Sequence, residues 1–247
     1  MVQLGSNKLS VYFLTKDIDL LIAIYRDRRR ELMKFVMSYS CGKDSTLALH
    51  NMIKQGNEPV ALITMVNQDV DRSFFHGADY KMLQAYSEAL GIPMLITPTV
   101  GENYHLAMEK SLKKAIDLGA EIACFGDIDI TDNRAWCEER CKNAGIKATF
   151  PLWQRNRTEN VYELVNLGYK CLIKSINNTL LTKELLGKVI DTAVIDKLRS
   201  CGIDICGENG EYHTLVMDGP IFHKPLAYKT GMIIDFGIVS VIDVILE

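Results

Sequence analysis

Phe35-Val36-Met37-Ser38-Tyr39-Ser40-Cys41-Gly42-Lys43-Asp44-Ser45-Thr46-Leu47-Ala48-Leu49 is the stretch on which the reading of the fold turns. Phe35 to Tyr39 has the character of a strand. The chain breaks at Gly42, and from Ser45 to Ile53 the apolar residues recur at helical spacing. The usual phosphate loop, with four residues between its glycine and Gly-Lys-Ser/Thr, is absent. A strand that turns on one glycine straight into a helix is still suited to a pyrophosphate. Gly42 would let the backbone come close and take a positive φ. The first N–H groups of the helix lack partners and sit at the positive end of its dipole. Ser40, Ser45 and Thr46 supply hydroxyls, and Lys43 a positive charge. Asp44 is out of place beside phosphates unless it caps the helix or faces Mg²⁺.

The same alternation continues outward. Val60 to Val66 is an almost wholly apolar run, as expected of a strand buried on both faces. Helices are expected over 77–90, 102–118 and 132–143, each stopping at a glycine, with strands at 94–97, 122–128 and 148–152 between them. Strands alternating with helices of this length give an α/β fold, a Rossmann-like parallel sheet with helices on both faces. In such sheets ligands bind beyond the carboxyl ends of the strands. The Ser40 loop, the exit at Met65-Val66-Asn67 and the exit at Gly126-Asp127 all fall there. After Pro151 the rhythm loosens. Helices are expected over 158–166, 184–190 and 193–199 and a strand over 169–176. A turn-rich acidic stretch follows, Gly207-Glu208-Asn209-Gly210-Glu211-Tyr212-His213-Thr214, and the tail holds two β segments. Three segments result: an N-terminal extension (1–33) of unassigned role, a nucleotide-binding domain (34–150) and a smaller α/β domain (151–247).

The chain's 247 residues suffice for such a core. Its net charge of −3 argues against tight, sequence-independent nucleic-acid binding, which needs a basic surface. Seven cysteines at irregular spacings, with no visible secretory signal or membrane-length apolar run, suggest free thiols in the cytoplasm. Cys137 and Cys141 lie four apart on a helix with no second ligand pair, and are read as packed thiols.

Ser40-Cys41-Gly42-Lys43-Asp44-Ser45 resembles the Ser-Gly-Gly-Lys-Asp-Ser loop of the PP-loop ATP pyrophosphatases, with Cys41 replacing a glycine. Further along come Gly126-Asp127-Ile128, Arg134 with Glu138, Pro151-Leu152-Trp153, Leu186-Gly187-Lys188, the Cys206–Thr214 stretch and Asp218-Gly219-Pro220. In that order they resemble the diphthine–ammonia ligase family over residues 34–226. The resemblance implies a PP-loop fold and an AMP-forming ligase that adenylates a carboxylate with ATP and Mg²⁺ and transfers ammonium to it. The carboxylate would be diphthine on elongation factor 2. Nucleotide contacts are implied for Ser40 to Ser45, Met65, Gly126 and Asp127, and Mg²⁺ contacts for Asp44 and Asp127. Catalytic roles are implied for Lys43, Asp44, Glu208, Glu211 and His213. Substrate contacts are implied for His76, Arg134, Glu208, Asn209, Glu211 and Thr214. By composition alone 207–214 is an acidic turn, and Trp153 to Arg157 either a linker or a phosphate contact. A small-molecule carboxylate, sulfur transfer to RNA and a non-catalytic nucleotide-binding module are the rival readings. A homodimer is left open.

Overall fold

The computed structural model describes residues 32–247. The strand expected at Leu9–Leu14 and nearly all of the helix expected at Asp17–Leu32 lie outside them. Residues 34–247 form one compact unit. Its first sheet consists of β1 (Lys34–Ser38), β2 (Glu58–Asn67), β4 (Met94–Thr99), β5 (Ile122–Cys124) and β6 (Lys147–Thr149), with the short β3 (Arg72–Ser73) clipped antiparallel to the end of β2. The five long strands are parallel in the order β4-β2-β1-β5-β6. β2 is buried over six consecutive residues, Ala61 to Val66, because both faces of the sheet are covered. On one face Val36, Ala61, Ile63 and Met65 meet Met108, Leu112 and Ala115 of α3 (Tyr104–Asp117) and Cys137, Cys141 and Ala144 of α4 (Thr131–Ala144). The alternate residues turn the other way, toward α1 (Lys43–Lys54) and α2 (Tyr80–Leu90). Cys137 and Cys141 are packed thiols, as expected, and burial pushes both well above the usual thiol range. Among the described residues no helix is long and apolar enough to cross a membrane.

The second sheet is antiparallel, in the order β8-β7-β10-β9: β7 (Cys171–Asn177), β8 (Tyr212–Val216), β9 (Tyr228–Asp235) and β10 (Val239–Leu246). α5 (Arg157–Asn166) and α6 (Thr192–Ser200) accompany it, capped by the side chains of Asn156 and Asp191. In β9 the register slips. Ile242 faces Ile233 and Val244 faces Thr230, so β9 holds one residue more than β10 over this span. The two sheets meet where β8 lies against the start of α1: Val216 N–H donates to the Cys41 carbonyl at 2.9 Å.

Three expectations change. Glu184–Ile190 is not a helix. A single 3₁₀ turn at Lys183–Leu185 leads into Gly187 at φ +76°, and the chain then runs beside β7, with Gly187 and Lys188 exchanging hydrogen bonds with Ile173 at 2.9 Å. Leu185, Leu186 and Ile190 are buried, but the backbone turns through the glycine. The 207–214 stretch is a turn only as far as Glu211, after which β8 begins. α2 starts at Tyr80, capped by Asp79, so His76 sits in the loop before it.

Gly126 lies where the exit of β5 touches the start of α1. A Cβ there would be 2.9 Å from Ser45 N and 3.0 Å from Ser45 Cα, backbone atoms that cannot swing aside. Gly126→Ala is therefore expected to cost about 1–3 kcal/mol, at about 2–4 °C of melting temperature per kcal/mol. Gly101→Ala, where nothing lies within 4 Å, should leave the melting temperature unchanged in the same thermal scan.

Candidate active site

The Ser40–Ser45 loop closes on itself through its own hydroxyls. Ser40 and Ser45 share an Oγ–Oγ hydrogen bond of 3.1 Å, and Ser45 Oγ and Thr46 Oγ1 donate to the Gly42 carbonyl at 3.0 and 2.9 Å. The positive φ is not at Gly42, as the sequence suggested. Gly42 is extended at φ −85°, and Cys41 takes the left-handed conformation at φ +67°. That geometry costs a non-glycine residue about 1–2 kcal/mol, and such strain gathers at functional loops. Gly42 is needed for space instead: a Cβ would lie 2.4 Å from His76 Cε1.

His76 is held against this glycine by its Nδ1, which donates to the Thr214 carbonyl at 2.7 Å, while Thr214 Oγ1 accepts from Lys43 N–H at 3.0 Å. Burial pushes His76 down to about 3, with His213 adding to the effect, so its ring is neutral. His213 packs 5.2 Å away and is also lowered by burial. The pair forms an uncharged ledge beside the loop.

The charged groups lie below that ledge. Lys43 is buried, with Nζ 2.5 Å from Asp44, 3.7 Å from Glu208 and 5.7 Å from the centre of the Tyr212 ring. Burial works to strip its proton, but Asp44, with Cys206, Tyr212 and Glu208, holds it and raises the pKa well above the usual lysine value. Glu208 goes up to about 7, first because it is buried and then because Asp44 repels a second negative charge, with Lys43 opposing. Ligand atoms of Asp44, Cys206 and Glu208 lie within 4.8 Å of one another. Asp127, at the exit of β5, is raised by burial and by the Asp44 charge, while the Cys137 thiol donates to it at 3.8 Å. Two of the expected site carboxylates, Asp44 and Glu208, thus converge on Lys43, and Asp127 feels Asp44.

Glu211 is engaged differently. Its buried carboxylate accepts from Asp204 N–H at 3.3 Å, Asn209 N–H at 2.9 Å and Asn209 Nδ2 at 3.1 Å, pinning the loop that carries Glu208. Asn209 is part of the same clamp. Arg157 reinforces it, with two hydrogen bonds to Asp129 at 2.6 and 2.7 Å and one to Asp204 at 2.6 Å, tying the exit of β5 to this loop. In the sequence it was only one residue of an ambiguous basic stretch. Arg134 lies apart from the Lys43 cluster. It pairs with Glu138 at 2.8 Å and stacks over Trp153 and Phe150.

Beside the loop opens a cleft of about 510 Å³ lined by Ser38, Phe74, Tyr104, Phe125, Asp127 and Trp136, among others. Tyr104 stands edge-on to Phe74 at 5.0 Å and lies 5.7 Å from Trp136. These aromatics were not singled out from the sequence, where they look like core residues. Met65 lines a small adjoining hollow of about 50 Å³ with Ser38 and Ser40, and its carbonyl accepts from Phe74 N–H at 3.1 Å.

Residues 33–148 match the diphthamide synthase N-terminal domain, and residues 156–242 match the diphthamide synthase C-terminal domain. The diphthine–ammonia ligase of Schizosaccharomyces pombe is 26% identical over 82% of this chain, which spans only 37% of that relative's length. The human diphthine–ammonia ligase is 24% identical over 82% of this chain and 85% of its own. Among solved structures, a Methanocaldococcus jannaschii protein described as a predicted subunit of tRNA methyltransferase is similar at a TM-score of 0.42 and 18% identity, over 79% of this chain and all of the other. Matched in order by both domains over most of its length, the chain belongs to the diphthamide synthase family.

Proposed function

We propose that this chain is an ATP-dependent carboxylate–ammonia ligase that amidates diphthine on elongation factor 2. The observation that carries the reading is the convergence of Lys43, Asp44 and Glu208 beside the strained loop at the end of β1 and an aromatic cleft. The relatives named diphthine–ammonia ligase support the choice of substrate. The seven free cysteines support a reducing, cytoplasmic setting.

In this reading the adenine stacks among Phe74, Tyr104 and Trp136, and the phosphates meet the start of α1 and Lys43. A carboxylate oxygen attacks the α-phosphorus, the α–β phosphoanhydride bond breaks, and pyrophosphate leaves with its charge neutralised by Lys43. Nitrogen of ammonia then attacks the acyl carbon, the bond to the AMP oxygen breaks, and Glu208 takes the proton the nitrogen loses. Free ammonium is the nitrogen source, and it gives up one proton to solvent to become the attacking ammonia. His213 and Thr214 hold the acyl group near the loop, and Glu211 and Asn209 keep Glu208 in place. Asp44 and Asp127 are hard oxygen donors, the second raised in part by the charge of the first, and Mg²⁺ bound there would supply further charge neutralisation at the phosphates.

With ATP, Mg²⁺, ammonium and diphthine-bearing elongation factor 2, chromatography should show AMP and pyrophosphate formed in step with amide. Release of ADP would sink the pyrophosphatase reading, and equal turnover with unrelated small carboxylates would remove elongation factor 2 as the specific substrate. Glu208→Gln should lower kcat by about 10²–10⁴-fold while leaving the melting temperature in place. Glu211→Ala should instead destabilise the fold by about 1–3 kcal/mol, since the part-buried Asp204 N–H loses its partner and the loop its clamp. Calorimetry beside kinetics separates the two roles.

A further inference from the structure

A second cleft, of about 480 Å³, opens on the other side of the Phe74-Phe75 pair, between the loop after β2 and the outer face of the second sheet. Phe74 and Phe75 line both clefts, so the two are separated by one aromatic wall. Phe75 is unusual in two respects. It is held at φ +66°, a conformation that is a true outlier for a bulky residue, and its side chain is 74% exposed. It also packs 6.5 Å from His213, the residue set beside the Ser40–Ser45 loop. A strained, exposed aromatic between two clefts serves no evident packing purpose.

The chemistry of the second cleft differs from that of the first. Phe236, Val70 and Ile234 are exposed apolar side chains that line it. Lys174 and Asp243 line it too. Lys174 is 5% exposed and donates to the Ile242 carbonyl. An ammonium has three N–H groups, so it keeps donors for a ligand. Asp243, which lines the same cleft and feels the Lys174 charge, supplies an acceptor. Arg72 is taken up by Asp79 at 3.8 Å and the Gly77 carbonyl at 3.1 Å. A donor and an acceptor in one cleft that also has apolar side chains suit an amide unit, whose carbonyl can take a bond from Lys174 and whose N–H can give one to Asp243.

We propose that this second cleft holds the acyl co-substrate as part of a polypeptide segment, with Lys174, Asp243 and Phe236 gripping the segment and Phe75 forming the wall it shares with the nucleotide. The proposal rests on the ligase reading above and adds where the second substrate lies and what positions it. A chain seated there reaches the loop by passing the Phe75–His213 contact, which brings its carboxylate to the α-phosphate from the side away from the adenine cleft.

The test is steady-state AMP release by the full chain. Diphthine-bearing elongation factor 2 is varied at saturating ATP and ammonium, and then ATP is varied. Phe236→Ala removes an exposed side chain and leaves the fold intact; Lys174→Gln is paired with it, with thermal unfolding as the control. Both should raise KM for the elongation factor about tenfold or more, the scale of a lost apolar or polar contact, and leave kcat and KM for ATP unchanged. Phe75→Gly, which suits the left-handed backbone, should raise both KM values without lowering the melting temperature. Unchanged KM for the elongation factor in Phe236→Ala and Lys174→Gln would overturn the cleft assignment while leaving the ligase reading standing. A free small carboxylate turned over as efficiently as the protein would overturn the polypeptide part. No AMP from the unaltered chain would remove the ligase reading, and this assignment with it.

Discussion

Thr214 is gripped from two directions. The Lys43 amide donates to its hydroxyl, and His76 Nδ1 donates to its carbonyl. Val216, two residues on, donates to Cys41. The Lys43 and Val216 bonds fasten the antiparallel sheet to the start of α1, and the His76 bond fastens it to the loop before α2. Everything else in the site depends on that seam. It brings the Glu208 loop over Lys43, sets the neutral histidine pair beside Gly42, and keeps Cys41 in a conformation it would not choose alone. The seam also explains why Gly42 has no side chain, since the His76 ring occupies the place a Cβ would need.

The electrostatics follow from the same geometry. Lys43 has left water, and a lone buried ammonium would shed its proton. Asp44 and Glu208 prevent this by standing within 4 Å. Glu208 pays in turn: burial, and then the Asp44 charge beside it, lift it to about 7. Charge is therefore balanced locally rather than by solvent. Glu211 shows the contrast: equally acidic in sequence, it is surrounded by N–H donors and fixes the shape of its loop.

Much of this was legible in the sequence. The strand–loop–helix at 35–53 and the alternation through 150 follow from hydrophobic period and glycine stops, which act locally. The convergence of Asp44 and Glu208 could be expected only through the family resemblance, because no local rule joins residues so far apart in the chain. The different surroundings of Glu208 and Glu211 were not legible, since both are acids in one turn and only the direction of each carboxylate divides them. Nor was the break at Gly187, where buried leucines imitate a helix while the glycine turns the chain along β7. Nor was the reason for Gly42, whose missing Cβ leaves room for His76, a residue distant from the loop in sequence.

The extra residue in β9 has a consequence for how the chain keeps company with itself. Met232, Ile233 and Ile234 stand exposed on the strand at the free end of the second sheet. A straight apolar edge of this kind invites pairing with any other strand. The register slip between Ile242 and Val244 interrupts the regular alternation of side chains and bends the strand. β9 can then leave oily side chains open beside a cleft without offering a continuous ladder on which further copies could stack.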